Sequence, residues 1–538
     1  MNKSRTRTIL LSGKRNQLMK RGFIHADLWR SEKDAFLVED GLFQKIGTSD
    51  EIEAACGKED EIIDLGNAFV VPGFIDSHMH LLNYGTYLSN IPLLDCRNKE
   101  EVLSRIKSGV KTAAKGEWIR ARGFNEELFD HPEMITKADL DAISTDHPIA
   151  VTRACGHLMT ANSAALQAAG IDETTEVEGG VIDYERGVLE EYAINLVTNS
   201  FPALTFERLK DIIQKGQKEL NRYGITAIGS DDFISLSDDW ETVLDTFQKL
   251  SYMEELTVRV NEQCEFPSLE EFAKFLDAGY TTDVGDDRFR IGPLKLIADG
   301  SLGARTAALK EPYADDPKEK GVLILDREGM MPWVKLAASY NMPTIVHAIG
   351  DRTVDEVLAC MKETVLENNP LHAGLVHCQI MNREQIRAVC DMKLNAYFQS
   401  LFIDSDARIL NERVGRQRAE SSYPFRTLAE HVCASNGSDA PVEVPDVLKG
   451  IELAVTRRSL DGSACMNPEE CMSVDQAIES YTVNGARAFG MEDRIGRIAP
   501  GCFADFAVID QNLTRMDPEK IHTAKVIMTV MNGETVFE

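Results

Sequence analysis

The chain has 538 residues, 43% of them apolar and 27% charged, and a formal net charge of −29. That composition is ordinary for a folded globular protein, and the length allows about three to four domains, or fewer where one barrel takes more than ~250 residues. The excess of acid argues against a nucleic-acid partner held by its phosphates and against an anionic membrane surface.

Eleven cysteines show no CxxC pair and no repeating spacing, so reduced thiols and a cytoplasmic location are expected. Near the N-terminus the apolar run Ile9-Leu10-Leu11 is too short for the core of a signal peptide. No stretch approaches the ~18 apolar residues that a membrane span needs, so no membrane partner is expected.

The predicted elements begin with short strands over Ala35–Val38, Ile62–Leu65 and Ala68–Val71, with turns at Asp40-Gly41 and Gly66-Asn67. Next comes His78-Met79-His80, directly after the apolar run that starts at Ala68. Residues 88–200 are too long for one strand-to-helix connection and are expected to form an insertion over the active-site face of a barrel. From Thr205 onward, helical and strand patterns alternate. Leu209, Ile213 and Leu220 mark a helix that Gly224 ends, and Ile225–Ile228 reads as a buried strand. Strands follow at Pro343–His347, Gly374–His377 and Leu394–Phe398, with helices between them. Short apolar strands joined by helices predict a (β/α)8 TIM barrel over residues 73–487. The C-terminal strands Phe506–Asp510, Lys525–Val530 and Thr535–Phe537 join residues 1–72 in a small composite β-sandwich domain, 1–72 with 488–538.

Chemistry concentrates at the strand ends. Residues i and i+2 of a strand share a face, so His78 and His80 can share one metal ion. Alone such a pair is a weak signal. Its position at the carboxyl end of a buried strand, where barrel enzymes keep their sites, sharpens it. Lys295 lies inside the apolar strand Ile291–Ile297, where a lysine is costly. His347 and His377 end their strands, and Asp439 follows Val432–Ser438. Each histidine alone has a plain alternative as a satisfied core residue, Lys295 as a snorkelling or paired lysine, and Asp439 as a turn or cap. Six such residues at successive strand ends are hard to explain as packing.

Through these strand-end residues and the motifs around them, the chain resembles the amidohydrolase superfamily of metal-dependent hydrolases, and within it the branch that includes N-substituted formamide deformylases. The likeness rests on Val70–His80, Arg153–Leu166, Gly292–Leu309, Val346–Leu358, Gly437–Glu443 and Tyr481–Asp510. It implies two divalent metal ions, expected to be zinc. His78, His80 and Asp439 would hold the more buried ion, His347 and His377 the second. Lys295 would be N-carboxylated and bridge both. The resemblance further implies hydrolysis of a C–N bond in an amide, formamide or cyclic amide, with Asp439 as proton shuttle and a small-molecule substrate. A homodimer is expected on the same ground and on the frequency of two-fold assemblies.

The chain departs from the branch at Gln399-Ser400, where many relatives carry Gln-Pro, and at Gly123-Phe124-Asn125 in the insertion. His157 is a candidate for reaching the substrate and Arg305 for anchoring a carboxylate; a structural or solvated role is the plain alternative for each. Two other functions compete. A hydrolytic deaminase of the same superfamily would use one metal and lack Lys295. A non-catalytic regulatory relative would have no need of the full ligand set.

Overall fold

Eight parallel strands, each hydrogen-bonded to the next, frame the structure. They are β1 (Phe74–Met79), β2 (Ile225–Ser230), β3 (Arg259–Cys264), β4 (Phe289–Ile297), β5 (Thr344–Ala348), β6 (Gly374–His377), β7 (Asn395–Phe398) and β8 (Ala434–Asn436). The computed structural model describes residues 20–538 except 94–95, 127–128, 155–156, 178, 203 and 238. The Ile9–Leu11 run and Cys155-Gly156 of the Arg153–Leu166 motif lie outside the described residues. β1 and β8 meet as neighbours. The N–H of Asp439 donates to the His78 carbonyl at 2.8 Å, and the N–H of His80 to the Ala440 carbonyl at 2.9 Å. Gly437 makes this approach possible, since a Cβ there would stand 2.7 Å from the backbone nitrogen of His78. The expected (β/α)8 barrel is therefore present, with its seam at the predicted ligands.

The helices around it follow from local sequence. Phe206–Arg222 buries Leu209, Ile212, Ile213 and Leu220 on one face, and Gly224, at φ +79°, takes the left-handed turn that ends it. Asn382 caps Arg383–Asp391 in a reciprocal box with Gln385, a device worth about 1 kcal/mol. The helix that precedes β5 begins at Arg327, capped by Asp326 and carrying Pro332 inside it. That proline hides the first turns from a pattern reading.

Strands from the two ends of the chain share a sheet. Phe69–Pro72 lies between Asp27–Leu28 and Phe506–Ile509, which pairs in turn with Val526–Met531 and then Glu534–Phe537. A second sheet, built from Arg21–Ile24, Ala35–Glu39, Leu42–Gly47 and Glu61–Asp64, packs on it through Phe23, Phe36, Phe43, Val70, Phe506 and Val530. The rings of Phe23 and Phe36 stack at 5.0 Å, with Phe506 edge-on to both. Each buried phenylalanine contributes about 1.5–3 kcal/mol. This sandwich is tied to the barrel by Arg259 at the start of β3, whose guanidinium forks onto Asp505 at 2.6 and 2.9 Å, both side chains buried.

The chain divides into two compact units, one of the residues up to Leu81 with Gln217–Glu538, the other Leu82–Gly216. The second encloses the 88–200 stretch. It holds a six-stranded mixed sheet, in which Ile119–Phe124 and Ile149–Arg153 run parallel and Leu158–Ala161 antiparallel, and a core of its own around Val102, Ile106, Ile119 and Val151. Among the described residues no helix is long and apolar enough to cross a membrane.

Candidate metal centre

His78 and His80 leave the end of β1 on one face, His78 fully buried and His80 about a fifth exposed. Nδ1 of His78 lies 2.6 Å from Oε1 of Gln263 in β3. The Gln263 amide nitrogen donates to the Ser77 carbonyl at 2.9 Å, which fixes which end of that amide faces the ring. Nδ1 of His80 lies 3.0 Å from the Asp231 carbonyl. Both acceptors are carbonyl oxygens, so each Nδ1 carries a hydrogen and each Nε2 is the atom left for other work. Those Nε2 atoms face one oxygen of Asp439, at 3.5 and 3.2 Å. The ligand atoms of His78, His80 and Asp439 lie within 4.8 Å of one another. Two imidazole nitrogens and a carboxylate oxygen suit zinc and similar divalent ions.

A second pair adjoins the first. The rings of His377 and His78 are 5.8 Å apart. Nδ1 of His377 lies 2.8 Å from Oε1 of Gln399, just after β7. Nε2 of His347 points the other way, 3.1 Å from the Gly300 carbonyl and 3.4 Å from Asp299. The remaining nitrogens, Nε2 of His377 and Nδ1 of His347, face each other at 2.9 Å. Asp299 holds this end of the barrel together. Its carboxylate accepts from the N–H groups of Ala308, Ile349 and Gly350 and from the Thr353 hydroxyl, all within 3.0 Å. His377 and Asp439 also take left-handed backbone angles, φ +79° and +58°, a strain of order 1–3 kcal/mol each that sites tolerate where it aims a side chain.

Burial and neighbours set the charges. Burial first, then the Lys295 cation, drives the His78 imidazole well below its ordinary range. Burial and then His347 bring His377 down to about 3. Burial also opposes charge on His80, but its hydrogen bond to Asp439 and the Asp231 carboxylate outweigh it and lift the imidazole to about 9. Asp439 is the mirror image: burial disfavours its charge, and the His80 hydrogen bond with the nearby imidazoles holds it well below the carboxylate range. Without a metal, the His80–Asp439 pair keeps a proton where a cation's charge would serve.

Residues 61–537 match the family model of the amidohydrolases. The chain belongs to the amidohydrolase family. It is 32% identical over 530 residues to YtcJ of Bacillus subtilis (strain 168), an amidohydrolase by name, across 96% of this chain and 98% of that protein. It is 22% identical to the N-substituted formamide deformylase of Arthrobacter pascens, across 95% and 96%. Among solved structures, an uncharacterized metal-dependent hydrolase from Pyrococcus horikoshii OT3 superposes with a TM-score of 0.78 at 26% identity, covering 93% of this chain and 99% of that one.

In this amidohydrolase the remaining predicted residues fall out as follows. Lys295 is buried in β4, its Nζ 3.0 Å from Oδ2 of Asp231, itself buried. Arg305 grips Asp315 with two nitrogens at 3.2 and 2.7 Å. In the Leu82–Gly216 unit, the exposed His157 contacts Glu191 at 3.0 Å. Three side chains central to the site escaped the sequence reading, Asp231, Gln263 and Asp299. Asp231 carried a signal in hindsight, as a polar residue directly after the apolar strand Ile225–Ser230, whereas Gln263 lies in the polar strand Arg259–Cys264 and carried none.

Proposed function

We propose that the protein hydrolyses a C–N bond in an amide, formamide or cyclic amide at this centre. The observation that carries the reading is the convergence of His78, His80 and Asp439, with each imidazole turned by a carbonyl acceptor so that Nε2 faces inward. His78, His80 and Asp439 would hold one divalent ion, and His347 and His377 a second. Lys295, N-carboxylated, would lie between the two. Zinc fits the donor set. Bound cations supply a polarised carbonyl and water of lowered pKa. Asp439 is kept ionised by its imidazoles, so its carboxylate accepts the proton of the attacking water and passes it to the leaving nitrogen. Gln263 and Gln399 keep His78 and His377 in the tautomers this requires. Lys295 favours this reading over a one-metal deaminase. The homodimer and the cytoplasmic location complete it.

The test is elemental analysis of zinc-reconstituted protein together with a hydrolysis screen on formamides, amides, cyclic amides and aminopurines. The expected result is two metal ions per chain and turnover of a C–N acyl substrate that chelation abolishes. Ammonia release from aminopurines alone would establish the deaminase instead. Metal content well under one ion per chain after reconstitution would remove the metal reading.

A further inference from the structure

The Leu82–Gly216 unit carries a pair of guanidinium groups that no acid among the described residues answers. Arg120 lies on the strand Ile119–Phe124, on the face opposite Ile119 and Ala121, whose side chains enter the core around Val102 and Ile106. Its guanidinium carbon sits 5.3 Å from the centre of the Phe201 ring, which in turn meets the Trp118 ring edge-on at 4.7 Å. Arg208, in the first turn of Phe206–Arg222, donates Nη1 to the Pro202 carbonyl at 2.6 Å. Both are partly buried. The charge that Arg120 feels is that of Arg208; burial and that like charge push it down to about 10, and burial alone lowers Arg208. Among the described residues neither meets a carboxylate, in a chain with 87 acidic side chains.

Arg120 lies on the Phe201 ring and Arg208 on the carbonyl of the adjoining Pro202, and part-buried like charges gathered on one short segment are destabilising unless something compensates them. The Phe201 face offsets part of this for Arg120. The rest is the signature of a ligand, because a planar guanidinium fork matches the oxygens of a carboxylate or phosphate. We propose that Arg120 and Arg208, beside Phe201, form a binding site for a small oxyanion. Arg122, exposed two residues further along the same strand face, extends its positive rim. The site is independent of the hydrolase reading.

Calorimetric titration of the full-length protein with inorganic phosphate and with succinate, at ionic strength fixed by sodium chloride, tests it. Saturable binding of at least one of the two is expected, and the stronger names the source, phosphoryl or carboxyl. Arg120→Gln and Arg208→Gln should each weaken binding at least about tenfold, a loss of about 1.4 kcal/mol. Arg186→Gln should leave it unchanged. Circular dichroism verifies folding, and Arg208→Gln, which gives up one contact to a carbonyl, serves if Arg120→Gln does not fold. Absence of saturable binding by both anions overturns the proposal. So does binding that persists unchanged in the folded variants, which would place the anion at the metal centre instead.

Discussion

The N–H of Asp439 donates to the carbonyl of His78 at 2.8 Å, while its carboxylate faces the Nε2 of that same residue at 3.5 Å. The contact that closes the barrel between β8 and β1 thus also sets the distance between two metal-ligand candidates. Ligand spacing here is a property of the main chain and the seam, with little left to side-chain freedom.

Asp439→Asn should abolish turnover and leave the fold intact. The backbone contact to His78 survives, whereas the amide neither holds a cation well nor moves a proton. A rate loss of at least about 10²–10⁴-fold is expected. The checks are the rate on the substrate found by the screen and the thermal midpoint. A folded variant keeping more than roughly a tenth of the wild-type rate would take Asp439 out of proton transfer.

Gln263→Leu and Gln399→Leu should each lower metal affinity about 10–100-fold, at different ions. The first frees Nδ1 of His78 and the second that of His377. Competition against a chromophoric chelator resolves the two ions. Equal affinity in both variants would show that the amides do not fix the imidazoles.

Lys295→Ala should lose the second ion and activity together, with short carboxylic acids restoring part of each. Intact-protein mass measured under native conditions with added bicarbonate should show one CO2 on wild type and none on the variant. A variant with full activity would exclude a bridging lysine.

Metal uptake should depend on pH through His80. Its imidazole, lifted to about 9 by Asp439 despite burial, is protonated at neutral pH in the metal-free chain, and a cation must displace that proton. The apparent dissociation constant should therefore fall about tenfold per pH unit between pH 7 and 9, then level off. The sign for stability is opposite. A raised folded-state pKa stabilises the metal-free fold fully below the unfolded value of ~6.5 and loses that contribution as pH rises through about 9. A flat uptake profile over this range would show that His80 is already neutral.

Arg259→Met should cost about 3–5 kcal/mol, because it strands the buried Asp505 carboxylate. The midpoint of denaturant unfolding reads this directly. Replacing both residues by apolar ones should recover much of the loss.

The barrel and the ends of the sandwich were legible because each depends on short-range pattern. A short apolar run marked Ala35–Val38, and the helical stripe through Leu209, Ile213 and Leu220 marked its element. The histidines were legible because their residue type, spacing and place at a strand end agree. Gln263 was not. An amide in a strand looks the same whether it satisfies a core carbonyl or orients an imidazole, and its partner His78 lies 185 residues away. Asp231 stayed hidden for the same reason: its pairing with Lys295 depends on β2, β3 and β4 lying side by side, which no local window contains. Gln399 stood out as a departure of its dipeptide, while the structure shows that the glutamine itself faces His377.

The pairing of Phe69–Pro72 with Phe506–Ile509 has a consequence for biosynthesis. About 430 residues separate these partners, so at 5–20 residues per second the first strand waits roughly 20–90 s on the ribosome for the second. Throughout that time the apolar strand leading straight into β1 keeps one edge open, even after β2 has been made and can pair with β1. Nascent chains stalled before Phe506 should therefore be bound by holdase chaperones and cut by protease near Val70, whereas chains released after Phe537 should resist both.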